Sequence, residues 1–379
     1  MLPCYDDFTT TFASFPEMLR YHELEAKESV WKRVPVRDLR IEPLDSSSAL
    51  YGNPASFAAE VSEEAVKDTA QNLGLAMKVH GEIYPIRTTA YKSLLDRAKI
   101  SGSALPKLKR RDLAKVLNSC LALHASEALL LVRDEKISAA HSGDEKDYSV
   151  LPMDELLAVL KKKMDERFPG NCFQDGYADH AFTSACWTFP DQKEDLLGTY
   201  TKVLEAQGKT AMASRLIPGI RFLTSDTGVA SAKVSAMLMG TEYPIHIGGC
   251  VAVDHRHQKK VSDFEDALDQ LFAQFRDSVA SLQKLTEIEL EYPVNAMTRI
   301  CKKLSLPKKE ALEAIAMFDM AFAGSPATAH DVFLALQEIP YLLKTHHVSE
   351  AKMLTVQENM ARALTLKWSD YDLARAVSY

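Results

Sequence analysis

The residues of this chain with the most chemical potential sit in three short strings. Thr224-Ser225-Asp226-Thr227-Gly228 gathers hydroxyls, a carboxylate and a glycine, the types that cradle a phosphate through side-chain oxygens and backbone amides. A phosphate loop also needs a lysine or a helix N-terminus after it, and neither follows here, so a strand-to-strand turn is the stronger explanation. Asp254-His255-Arg256-His257, followed by Lys259 and Lys260, sets two histidines two apart, on one face if a strand continues through them. Such a pair can begin a metal site. No third and fourth ligand is identifiable, which favours a solvated strand end. Asp175, Asp179 and His180 could serve as acid, base or metal ligand, but such groups are also common on surfaces.

The remaining motif classes are empty. The six cysteines (Cys4, Cys120, Cys172, Cys186, Cys250 and Cys301) are widely spaced without a CxxC pair, which fits free thiols packed in a protein of the reducing cytoplasm. There is no GxSxG, P-loop, GxGxxG or HExxH string, so the major motif-bearing enzyme classes lose most of their weight. The expectation is a protein without a cofactor, leaning away from catalysis.

Cations form the other candidate constellation. Lys107, Lys109, Arg110 and Arg111 with Lys115 make one cluster, Arg256 with Lys259 and Lys260 a second, and Lys302-Lys303 with Lys308-Lys309 a third. A charge run is usually a solvated face. The first two clusters flank expected hairpins, and Arg221 and Lys233 lie on the central one, so a sheet with a cationic face could cradle single-stranded nucleic acid without reading its bases. The net charge of -7 requires any polyanion site to be a local patch.

These groups need elements to hold them. From Ala230 to Leu238 apolar residues alternate with Ser231, Lys233 and Ser235, and Ile245, Ile247, Val251 and Val253 resume the alternation after Gly240-Thr241-Glu242. That period predicts a half-buried hairpin, with a bulge at Gly248-Gly249, at the centre of the sheet. Further hairpins or strand pairs are expected at Ala128–Val132 with Ile137–Ala140 and over Cys172–Phe189. Helical spacing marks Thr88–Ala98, Asp112–Leu123, Pro152–Phe168 and Asp191–Ala206. After His255 the spacing turns wholly helical. Ser262–Leu285 reads as one long helix, and Asn295–Leu304, Lys308–Phe322, Thr328–Lys344 and Ser349–Leu366 follow it.

The resulting expectation is an α+β fold: antiparallel β-hairpins packed with helices, followed by a C-terminal all-helical module. Residues 1–75 are expected as an N-terminal arm or peripheral subdomain, 76–260 as the α+β core with the central hairpin, and 261–379 as the helical module. At 379 residues with 46% hydrophobic and 26% charged residues, the composition is that of a globular protein with a substantial core. No apolar run approaches the length of a membrane span, and the acidic N-terminal string lacks the pattern of an export signal.

With these elements placed, the strings TTAYKSLLDRAKI, DLAKVLNSCLALH, ALLLVRDEKISAAHS, YSVLPMDELLAVL and FLTSDTGVASAKV can be taken in order. From about Thr88 to Asp370 the chain resembles a phage/plasmid-like family defined as domain of unknown function 932. It departs from the commoner members at VLNSCLALH and IGGCVAV, where they carry other asparagine- and glycine-containing strings. The resemblance implies a mobile-element or phage setting and no catalytic residues. Together with the basic clusters it leads to the expectation of a non-enzymatic nucleic-acid-associated protein that binds or anneals single strands. Convergence of the cations into one groove would support it. Two alternatives stand beside it. One is a metal-dependent hydrolase of nucleic acid built from Asp175, Asp179, His180, His255 and His257. The other is a host-interaction protein that inhibits a bacterial defence system. Homo-oligomerisation and a host-protein partner stay open.

Overall fold

A computed structural model describes residues 3–241, 244–322, 324–346 and 348–379. The chain opens with strand β1 (Thr9–Phe12), helix α1 (Phe15–Glu28) and strands β2 (Val30–Pro35) and β3 (Arg40–Pro43). Helix α2 (Glu63–Gln71) starts where the side chain of Ser62 accepts the Ala65 N–H, a standard N-cap bond. The hairpin of β4 (Leu75–Val79) and β5 (Glu82–Pro85) leads into α3 (Ala90–Ala98) and α4 (Arg110–Leu121). Then β6 (Glu127–Arg133) turns tightly into β7 (Lys136–Ser142). Asp134 and Glu135 hold φ of 48° and 66°, the left-handed pair a two-residue hairpin requires.

The second half begins with α5 (Met153–Arg167), β8 (Cys172–Asp179) and β9 (Thr183–Thr188). Helices α6 (Lys193–Ala206) and α7 (Thr210–Arg215) then precede β10 (Ile217–Thr224), β11 (Ala232–Met239) and β12 (Ile245–Val253). All six strands of the large sheet run antiparallel in the order β1-β8-β9-β10-β11-β12. The expected bulge is present: register shifts fall opposite Val234/Ser235 and Ala236/Met237, where β12 carries Gly248 and Gly249. The turn expected at 240–242 runs into residue 242, which lies outside the described residues. Gly240, at φ +96°, packs so closely on Arg215 that a Cβ there would sit 1.8 Å from the Arg215 carbonyl oxygen.

Helices α8 (Val261–Leu268), α9 (Leu271–Lys284), α10 (Pro293–Lys303), α11 (Lys308–Phe322), α12 (Ala329–Leu336), α13 (Glu338–Thr345) and α14 (Glu350–Ala361) complete the chain. The fold is α+β with antiparallel sheets and a helical C-terminal region, as the periodicity predicts. Two long helices are each broken in two, however. Ser262–Leu285 divides at Asp269-Gln270, and Thr328–Lys344 divides at Gln337, because the apolar stripe stays in phase across each turn and spacing alone does not reveal the break.

The hydrophobic cores divide the chain differently from the expected segments. One core joins Phe12, Phe15 and Met18 to Trp187, Phe222 and Val234 of the large sheet and to Phe264, Phe275, Phe333 and Trp368 of the C-terminal helices. A second joins Val34, Ile41, Met77, Leu94, Leu117, Leu130 and Ile137. Residues 1–75 are therefore no appendage. β1 is the edge strand of the large sheet, β2 pairs with β6, and β3 pairs with β4, whose first residue, Leu75, falls on the expected boundary. Likewise the C-terminal helices share one core with the large sheet, so apolar side chains of both bury each other.

Candidate nucleic-acid interface

The hydroxyls and amides of the Thr224–Gly228 string are already committed to each other. Ser225 Oγ and Thr227 Oγ1 both donate to the Ala181 carbonyl, and the Thr227 and Val229 N–H groups both donate to Ser225 Oγ at 3.2 Å. The loop is a turn between β10 and β11 whose Ser225 and Thr227 hydroxyls are engaged by the protein's own backbone. Its carboxylate, Asp226, ion-pairs with Arg133 at the end of β6, which also donates to Glu25 Oε1 of α1 at 3.0 Å. All three side chains are buried. Burial alone would raise Glu25, but the Arg133 charge and a hydrogen bond from His22 outweigh it and hold Glu25 at about 2.

This clamp positions an aromatic stack. The Asp226 carbonyl accepts from Tyr148 Oη at 2.8 Å and lies 2.7 Å from His141 Nε2. The His141 and Tyr148 rings stack with centroids 3.5 Å apart and planes 5° apart, and His255 continues the stack 5.7 Å beyond Tyr148. Burial, reinforced by the neighbouring Arg97 charge, outweighs the Asp226 carbonyl bond and holds His141 down at about 4, so it is neutral at physiological pH. Gly228 lies over this stack: a Cβ there would come 3.2 Å from His141 Cε1, and its φ is +81°.

Above the stack opens a cleft of about 670 Å³ between the two cores. Helix α3 and β7 form one wall; the 227–231 turn and the segment after β12 form the other. Two backbone bonds tie the walls at the rim: His257 N–H donates to Lys146 O at 2.9 Å, and Gln258 N–H to Glu145 O at 3.0 Å. Five cations, Lys92, Arg97, Lys99, Lys146 and Arg256, line the cleft against three carboxylates, Asp96, Asp147 and Asp254. Arg97 faces Asp96 and Asp147. Lys92, Lys99, Lys146 and Arg256 are exposed, and among the described residues none has a carboxylate at ion-pair distance.

The cations expected from the sequence do not converge. Of the ten, only Arg256 lines the cleft. Lys107, Lys109, Arg111 and Lys115 are exposed around the start of α4, while Arg110 turns back to donate to Asn72 O at 2.8 Å. Arg221 lies on the second face of the sheet, in a row with Asp175, Cys186 and Ser235, and donates to Cys186 Sγ at 3.2 Å. Lys233 is neutralised by Glu358 of α14, Lys259 pairs with Asp263 at 2.9 Å, and Lys260 caps α8. The face expected to be wet is in part covered by α14, through Leu354 packing on Leu223 and Phe182.

The metal candidates also separate. β12 ends at Val253, so His255 is buried between Thr224 and Ser149 while His257, at φ 59°, points outward. Asp179 Oδ1 accepts the Ala181 and Phe182 N–H groups of its own turn, and His180 Nε2 meets the Tyr5 carbonyl at 2.9 Å. Among the described residues no three His, Cys, Asp or Glu side chains gather into a metal-holding group. Cys4, Cys120, Cys172, Cys186 and Cys301 are free thiols, and burial pushes Cys301 up to about 12. No helix among the described residues is long and apolar enough to cross a membrane.

Local sequence reading passed over Lys92, Lys99, Lys146, His141 and Tyr148. Lys92 and Lys99 are both exposed, the first on α3 and the second at its C-terminal cap with φ 53°, so helical spacing alone does not place them together. Lys146 lies in a mixed-charge loop that gives no signal. No family model, curated protein or solved structure matches this chain.

Proposed function

We propose that the protein is a non-enzymatic nucleic-acid-binding protein that holds a single strand in the cleft between its two cores. One observation carries the reading: four exposed, unpaired cations from three separate segments ring one polar cleft in a chain whose total charge is -7. Elsewhere many cations are matched by carboxylates, as at Lys233, Lys161 and Lys163. Unpaired cations around a groove are the arrangement that tracks a phosphate backbone. The resemblance to the phage/plasmid-like family supplies a compatible setting. Less supports the hydrolase alternative, since among the described residues its five side chains do not gather into a metal-holding group. A fluorescent single-stranded oligonucleotide titrated at low and moderate salt tests the proposal. Micromolar, salt-sensitive binding is expected, and no binding at low salt would end it.

A further inference from the structure

A second cavity, of about 570 Å³, lies on the other face of the large sheet between β11–β12 and helices α9 and α14, a volume typical of small-molecule sites. Ile247, Val251, Ala361 and Leu364 give it apolar walls. Two buried polar atoms on its lining residues have no partner, His246 Nε2 and Gln357 Oε1, on residues only 5% and 6% exposed. Orphaned buried groups are rare in native folds, and a bound ligand is one way to satisfy them. The cavity's charges balance, Lys233 and Arg362 against Glu358 and Asp277, so neither an anion nor a cation is called for. Burial, with the Arg221 charge nearby, holds His246 at about 3, which keeps the imidazole neutral. Apolar walls around a hydrogen-bonding pair without net charge suit a nucleobase, which has apolar faces and a polar edge.

The cavity also adjoins the cleft. Lys233 and Ala252, opposite each other in the sheet register, border the cavity. Ser231 and Asp254, two residues farther along the same two segments, border the cleft. That separation is about 7 Å of strand. We infer that the cavity seats one unstacked base of the strand held in the cleft, with Gln357 and His246 pairing to its polar edge. The inference rests on the nucleic-acid reading.

The test places 2-aminopurine at each position of a short single-stranded oligonucleotide in turn, bound to the full-length protein. One position should change its emission several-fold more than its neighbours. Gln357→Leu should remove that difference and weaken binding roughly ten-fold, the scale of one base contact. If the variant does not fold, the positional scan of the unmodified protein decides alone. Tight binding with equal emission at all positions overturns the base subsite and leaves the cleft reading standing. Failure of the oligonucleotide to bind overturns both.

Discussion

Replacing Asp134 with asparagine should stabilise the protein at neutral pH and do little near pH 4. Asp134 sits at the tip of the β6–β7 hairpin, with both carboxylate oxygens buried and without a hydrogen-bond partner. The nearest side-chain nitrogens are His180 Nδ1 at 3.6 Å, on an imidazole that burial keeps neutral, and Arg87 Nη2 at 3.9 Å, both too far for hydrogen bonds. Burial therefore raises it from 3.8 to about 6, against the pull of Arg87 and Arg133. A carboxylate whose folded value is raised costs nothing below its unfolded value, because both states are then protonated. The cost accrues as pH rises from about 4 to about 6, where the unfolded chain ionises and the folded one resists. Above that window the span corresponds to at most about 3 kcal/mol. Asparagine tolerates the left-handed backbone at φ 48° and carries no charge to desolvate. Urea midpoints for both proteins near pH 4 and near pH 7.5 check this. The expected gain is about 1–3 kcal/mol at the higher pH and near zero at the lower. An equal effect at both pH values, or a loss near pH 7.5, would refute the reasoning.

Other consequences follow from the same geometry. Arg133→Met should destabilise by about 3–5 kcal/mol, because it leaves Glu25 and Asp226 buried without their cation; a urea midpoint near that of the unmodified protein would contradict the clamp. Gly240→Ala should cost about 2 kcal/mol or more, since the added Cβ meets the Arg215 carbonyl in a backbone conformation that also disfavours it; thermal unfolding reads the loss.

What the sequence revealed was local. The alternation through Ala232–Met239 and Ile245–Val253 marks one face of the sheet, and Gly248-Gly249 marks the bulge, because strand period and glycine tolerance are properties of neighbouring residues. What it hid was set by distant partners. Arg221 and Lys233 have the same local pattern as solvent-facing cations, but α14, more than a hundred residues later, partly covers that face and places Glu358 on Lys233. Likewise nothing near Thr9–Phe12 announces Gly176–Asp179 as its partner. The cleft gathers residues from α3, the 143–148 loop and the end of β12, so no single string contains it.

The central claim is that the cleft, rather than the basic start of α4, takes the nucleic acid. Two double charge reversals separate these surfaces: Lys146→Glu with Arg256→Glu in the cleft, and Lys107→Glu with Lys109→Glu on the α4 side. Single-strand affinity is measured for each against salt. With four phosphates neutralised, the unmodified protein should show a log–log slope of about -3. The cleft pair should lose at least about ten-fold in affinity and flatten the slope by about 1.4, while the α4 pair should change little. Weakened binding from the α4 pair with the cleft pair unaffected would contradict the account.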